Sequence, residues 1–198
     1  MEYSTKLQLD DFFNHLQKEN FVVIKMSDDF PNYFKGDDID IFCEDLNSLV
    51  ERTLLFGNKY VQKGGWEIRL TRKDKNKKIH IDFIYVGELE IRFDLHGSLP
   101  EYKKVSLKQG FFNSILKNKV KKDVKDYLVY VPSEIDEMVL RYIEFHEYFD
   151  KRPDKIKHLD YIVSMENPKF LEKLHRYVKH TDRKEAGFFT KMLAFFKK

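Results

Sequence analysis

A single cysteine, Cys43, stands in a chain of 198 residues, so neither an internal disulfide nor a cysteine-rich zinc centre can form. Proline and glycine are scarce, with five and eight residues, which excludes collagen-like and low-complexity chains. No apolar run approaches the ~18 residues that a membrane-spanning helix needs. The first ten residues are polar, where a secretory signal would place an apolar stretch. A strong excess of one charge is missing too: 36 Lys plus Arg face 33 Asp plus Glu, a net charge of +3. These absences leave an ordinary globular chain, expected in a reducing, cytoplasmic setting. Apolar residues make up 42%, with 18 Phe and 11 Tyr, enough to bury a core.

The balanced charge is unevenly spread. From Lys103 to Lys125 there are eight lysines and one acid, Asp123. From Lys151 to Lys198 there are thirteen Lys or Arg and six acids. Such a surface suits nucleic acid, anionic lipid or a phosphorylated small molecule. The plainer account is a solvated lysine-rich face. Nothing nearby matches a helix-turn-helix, zinc-finger or RNA-recognition pattern, so nucleic acid is the less favoured partner.

The patterning predicts an α/β (α+β) fold. Leu9, Phe12, Phe13 and Leu16 recur at helical spacing and predict a helix over 6–18. Phe21 to Ile24 and Ile39 to Phe42 are short buried strands around a polar loop, and Leu46 to Phe56 is a helix. Trp66 to Arg72 reads as a strand, Lys73–Lys77 as a turn. Two period-2 strands follow, one through Ile79, Ile81 and Phe83, the next through Ile91, Phe93 and Leu95. Beyond them Ser133 caps a helix marked by Met138, Tyr142 and His146. Two more helices follow, around Ile156–Val163 and after Pro168. The expected organisation is a mixed-sheet core over 1–130 and a helical subdomain over 131–198. In the latter, His146, Lys155 and Lys157 are pocket candidates, with His146 at the spacing of a core position.

Function is best read at Gly36-Asp37-Asp38-Ile39-Asp40-Ile41. Period 2 puts Asp38 and Asp40 on one face of a strand, with Ile39 and Ile41 behind. Carboxylates held this close repel each other unless a cation lies between them. Hard oxygen donors suit Mg²⁺ or Mn²⁺. Asp82 and Asp94, each on the polar face of an alternating strand, are the candidates for a third acid. A paired-metal site of this kind performs phosphoryl or nucleotidyl transfer. No phosphate-binding G-x-x-x-x-G-K-[ST] loop and no G-x-S-x-G elbow is present, and the seven histidines show no close ligand pairing among themselves.

The run Phe21-Val22-Val23-Ile24-Lys25-Met26-Ser27, a loop, then Gly36 to Ile41 resembles the nucleotidyltransferase superfamily with the DNA polymerase beta-like fold. There a Gly-Ser turn precedes a G-x-D-h-D-h strand and a helix, and a third aspartate lies on a later strand. Lys77-Lys78-Ile79-His80-Ile81-Asp82-Phe83 is similar to that third element, and the resemblance covers roughly residues 20–96. It implies transfer of a nucleoside monophosphate from an NTP to a small acceptor, such as a sugar or polysaccharide precursor. Asp38 and Asp40 would hold metal, and Asp82 would complete the site and help deprotonate the acceptor. Ser27 would contact the terminal phosphates, flanked by Lys25 and Lys35. The strand Ile91 to His96 is similar to a segment of nucleotidyltransferase-like proteins from bacterial surface-polysaccharide clusters, which makes Asp94 the alternative third ligand. Met26 stands where the family has glycine. That departure motivates the alternative of an inactive, nucleotide- or partner-binding relative; a basic nucleic-acid-binding module is the other. The aromatic, lysine-ended segment 186–198 is a candidate for packing on its own domain or for peripheral membrane contact.

Overall fold

The computed structural model describes residues 2–27, 29–108, 110–124 and 127–181. In chain order the elements are α1 (Leu9–His15), β1 (Phe21–Val23), β2 (Asp37–Cys43), α2 (Leu46–Val61), β3 (Trp66–Lys73), β4 (Lys78–Tyr85), β5 (Glu88–His96), β6 (Val105–Leu107), α3 (Phe111–Lys117), β7 (Val120–Val124), β8 (Tyr127–Val131), α4 (Glu134–Tyr148), α5 (Ile156–Met165), α6 (Lys169–Tyr177) and β9 (Val178–His180). The expected α+β class is observed. The chain forms two compact units, 1–99 with 118–131, and 100–117 with 132–198. The second unit therefore begins at Pro100, and the chain returns to the first for β7 and β8, where the sequence suggested one boundary near 130. The tail 186–198 lies outside the described residues.

The first unit is built on a five-stranded mixed sheet of order β1-β2-β5-β4-β3. Only the β2–β5 pairing is parallel; β1–β2, β5–β4 and β4–β3 are antiparallel. One face is apolar, because Ile39 and Ile41, Ile91, Phe93 and Leu95, and Ile79, Ile81 and Phe83 alternate with polar neighbours. Phe12 of α1 stacks on Phe93 with ring centroids 4.0 Å apart, and Phe83 meets Phe93 edge-on at 5.3 Å. Phe56 of α2 closes the cluster against Phe12 at 5.3 Å. Gly57 lets α2 approach β3, since a Cβ there would lie 3.0 Å from Ile68. The β7–β8 hairpin packs on α1 and β1.

Helix α1 is shorter than its apolar spacing predicts. The amides just before it are met from outside: the Leu7 N–H donates to Tyr33 Oη at 2.9 Å and the Gln8 N–H to Tyr60 Oη at 3.1 Å. At the other end the Leu16 N–H is shared between the carbonyls of Phe12 and Phe13, which tightens the last turn and ends the helix. Asp45 caps α2 by accepting from the Ser48 N–H at 3.0 Å.

In the second unit α4 is central, with α5 and α6 packed against it. Ser133 accepts from the Asp136 N–H at 3.3 Å, as its capping pattern predicts. Glu147 accepts from the backbone N–H groups of Lys103 and Lys104 at 3.0 and 2.9 Å, anchoring the start of β6. His146 and His158 are buried. Burial first, then nearby positive charge or a second imidazole, pushes both pKa values from 6.5 down to about 4. Both rings are therefore neutral in the fold, while the unfolded chain takes up their protons near pH 6.5. The unfolded state binds more protons between pH 4 and 6.5, so this contribution is complete above 6.5 and is lost as pH falls toward 4. At 1.36 kcal/mol per unit it is on the order of 3 kcal/mol for each ring. We expect denaturant midpoints to fall steeply across that window, and less steeply in His158→Gln. A variant with the wild-type slope contradicts this assignment.

Candidate metal centre

The polar face of the sheet carries the acids. Gly36 enters β2 at a φ of +88°, a conformation that suits glycine. Its N–H donates to the Glu90 carbonyl at 2.9 Å, which fixes the register of β2 on β5. That register pairs Asp38 with Arg92, Asp40 with Asp94 and Phe42 with His96. Across β5, Asp94 faces His80 and His96 faces Lys78 on β4. Donor atoms of Asp40, Asp94 and His96 all lie within 4.8 Å of one another, so these residues could hold a metal ion.

Each carboxylate is held by a lysine and a histidine. Asp40 lies 2.7 Å from Lys25 Nζ and 3.0 Å from His96 Nε2. Asp94 lies 2.6 Å from Lys78 Nζ and 2.8 Å from His80 Nδ1. The His80 approach is out of line for a hydrogen bond, and buried Asp94 Oδ1 has no hydrogen-bond partner. A buried carboxylate oxygen without a donor is costly and is the kind of atom a cation satisfies. With a second carboxylate and an imidazole beside it, the donor set fits a divalent metal.

Electrostatics separate the two acids of β2. Burial raises the Asp40 pKa, but the His96 hydrogen bond and the Lys25 charge outweigh it and leave the group well below the usual carboxylate range. Asp38 reaches solvent, yet the protein packed around its carboxyl, then the charges of Asp40 and Asp94, push its pKa up. A cation beside these three carboxylates would relieve that repulsion. Burial, ahead of the opposing Asp94 charge, lowers the His80 pKa.

The other sequence candidates are distributed as follows. Asp82 shares the polar face but lies on β4, with β5 between it and β2. Its carboxylate accepts two hydrogen bonds from Arg92, at 2.6 and 3.0 Å. Of the two acids considered for the third position, the structure sets Asp94 next to Asp40. Lys25 is at the cluster, on backbone with φ +52°, and the Ile24 N–H beside it donates to the Asp40 carbonyl at 3.0 Å. Ser27 is exposed, and its carbonyl accepts from the Phe30 N–H at 3.3 Å. Lys35 is exposed and pairs with Glu88. Met26 packs against the apolar core.

His96, Lys78 and His80 escaped the sequence reading. His96 follows Asp94 by two residues and so shares its face; a search for mixed carboxylate–imidazole pairs at strand period would have found it. In the second unit, Lys155 pairs with Glu144 at 3.0 Å, and His146 is a core residue. Among the described residues no helix is long and apolar enough to cross a membrane. Compared with protein-family models the chain matches none, and no curated protein matches it in sequence.

Proposed function

We propose that the first unit is a metal-dependent nucleotidyltransferase, moving a nucleoside monophosphate from an NTP to a small hydroxyl- or phosphate-bearing acceptor. The observation that carries this reading is the register match of Asp40 and Asp94 on adjacent parallel strands, with Asp38 two residues before Asp40 on the same face. The mixed sheet supports it, since the Gly36–Ile41 strand leads into α2 and a third acid follows on a later strand, the order the family resemblance implies. Met26 supports it too, because its side chain packs on the core.

Asp38, Asp40, Asp94 and His96 would hold Mg²⁺ or Mn²⁺, which supplies charge neutralisation at the phosphates and a lower pKa for the acceptor hydroxyl. In the transfer, an acceptor oxygen bonds to the α-phosphorus, the α–β anhydride bond breaks, and pyrophosphate leaves. The hydroxyl proton passes to a carboxylate, a role this reading gives to Asp94. Arg92 keeps Asp82 paired.

A second reading is a relative that binds nucleotide without turnover. The Lys25–Asp40 and Lys78–Asp94 ion pairs favour it, because protein cations already neutralise the acids. Pyrophosphate release with each NTP, Mg²⁺ or Mn²⁺ and a panel of sugars and sugar phosphates separates the two. Release by the wild type supports transfer; metal-dependent NTP binding without release under every condition supports the second reading.

A further inference from the structure

The carboxylate pair lies between two lysines that reach it from opposite sides. Lys25 comes from the loop after β1 and holds Asp40 at 2.7 Å; Lys78 comes from β4 and holds Asp94 at 2.6 Å. All four side chains are largely enclosed, at 21% and 17% exposure for Lys25 and Asp40 and 22% and 6% for Lys78 and Asp94. Each lysine neutralises its own carboxylate, and the charge of Asp38 acts on Asp40, Asp94 and Lys25 besides. A divalent ion taking an oxygen from each carboxylate adds two positive charges to this enclosed group. A cation drawing on Asp40 and Asp94 weakens their hold on the two lysines and repels both ammonium groups, and in a partly desolvated setting such repulsion is large. Arg92 is held by two hydrogen bonds to Asp82, and its charge acts on Asp94 and Asp38 from that position.

We propose, resting on the nucleotidyltransferase reading, that Lys78 together with Lys25 forms a phosphate-binding pair that metal entry releases from the carboxylates. Bare metal meets two competing ammonium groups and binds weakly. A metal-bound triphosphate brings the anionic oxygens those ammonium groups then grip. Metal and nucleotide therefore bind with strong mutual cooperativity, and Lys78 is a nucleotide-binding residue that opposes the metal when nucleotide is absent.

The sign of the effect makes this testable. Mn²⁺ binding to the full chain is followed by electron paramagnetic resonance, alone and with each of the four NTPs, in wild type, Lys78→Met, Lys25→Met and Lys78→Arg. Methionine keeps the length and packing of the lysine stem. Lys78→Met should bind Mn²⁺ alone about tenfold more tightly and Mn²⁺ with NTP about tenfold more weakly, opposite changes of one factor-of-ten step each. Lys25→Met should move in the same two directions, and Lys78→Arg should restore wild-type behaviour. If Lys78→Met weakens both bindings, or changes neither, the lysine is structural and the proposal fails while the metal site stands. If no variant and no wild type binds Mn²⁺, with or without nucleotide, the nucleotidyltransferase reading itself fails.

Discussion

Asp40→Asn should lower pyrophosphate release by at least about 10³-fold while leaving the protein folded. Metal-ion stabilisation of transferring phosphoryl groups contributes several kcal/mol, and each 1.36 kcal/mol is a factor of ten in rate. Asparagine keeps the shape of Asp40 but removes the negative charge that Lys25 and His96 address at 2.7 and 3.0 Å. Its amide is a poor substitute for a carboxylate toward a hard cation. The check is a pyrophosphate-release assay run beside a denaturant titration. A variant that retains wild-type turnover contradicts the role given to Asp40, and one that unfolds is replaced by Asp38→Asn at the exposed end of the same face.

The largest effect on stability should come from Phe93→Ala. Phe93 is fully buried, with Phe12 stacked on it at 4.0 Å and Phe83 edge-on at 5.3 Å. It sits one residue before Asp94, so the same strand bears the aromatic core on one face and the acid on the other. Removing the ring leaves a cavity that α1 and β4 cannot close together, at a cost of about 3–5 kcal/mol. For a chain of this size that lowers the melting temperature by about 6–20 °C. Calorimetry of wild type and variant measures it directly. A loss below about 0.5 kcal/mol, the range of surface substitutions, would show that the aromatic cluster does not organise the sheet.

Much of the sheet was legible because period 2 is a local property. Asp38 and Asp40 share a face whatever their neighbours do, and Asp82 and Asp94 were placed on polar faces for the same reason. Which of the latter adjoins Asp40 is not local. The meander β3-β4-β5 runs outward-in, so β5 closes against β2 and β4 is one strand further away; nothing in the sequence of either strand encodes that order. The lysine-rich run also hid structure. Val120 to Val124 pairs with Tyr127 to Val131, but exposed Lys121 and Lys122 mask the strand pattern, and the buried Tyr127 and Val129 reveal it only from the partner side. The split of the second unit into 100–117 and 132–198 is likewise a matter of long-range packing.

The most direct test of the metal centre sets Asp94 against Asp82. Mn²⁺ binding in the presence of saturating NTP, measured by calorimetric titration, should be retained in Asp82→Asn, whose carboxylate serves Arg92. In Asp94→Asn it should weaken by at least about 100-fold, beyond the range seen when only a supporting group is lost. Retention in Asp94→Asn with loss in Asp82→Asn would contradict the centre assigned here and move it one strand across the sheet.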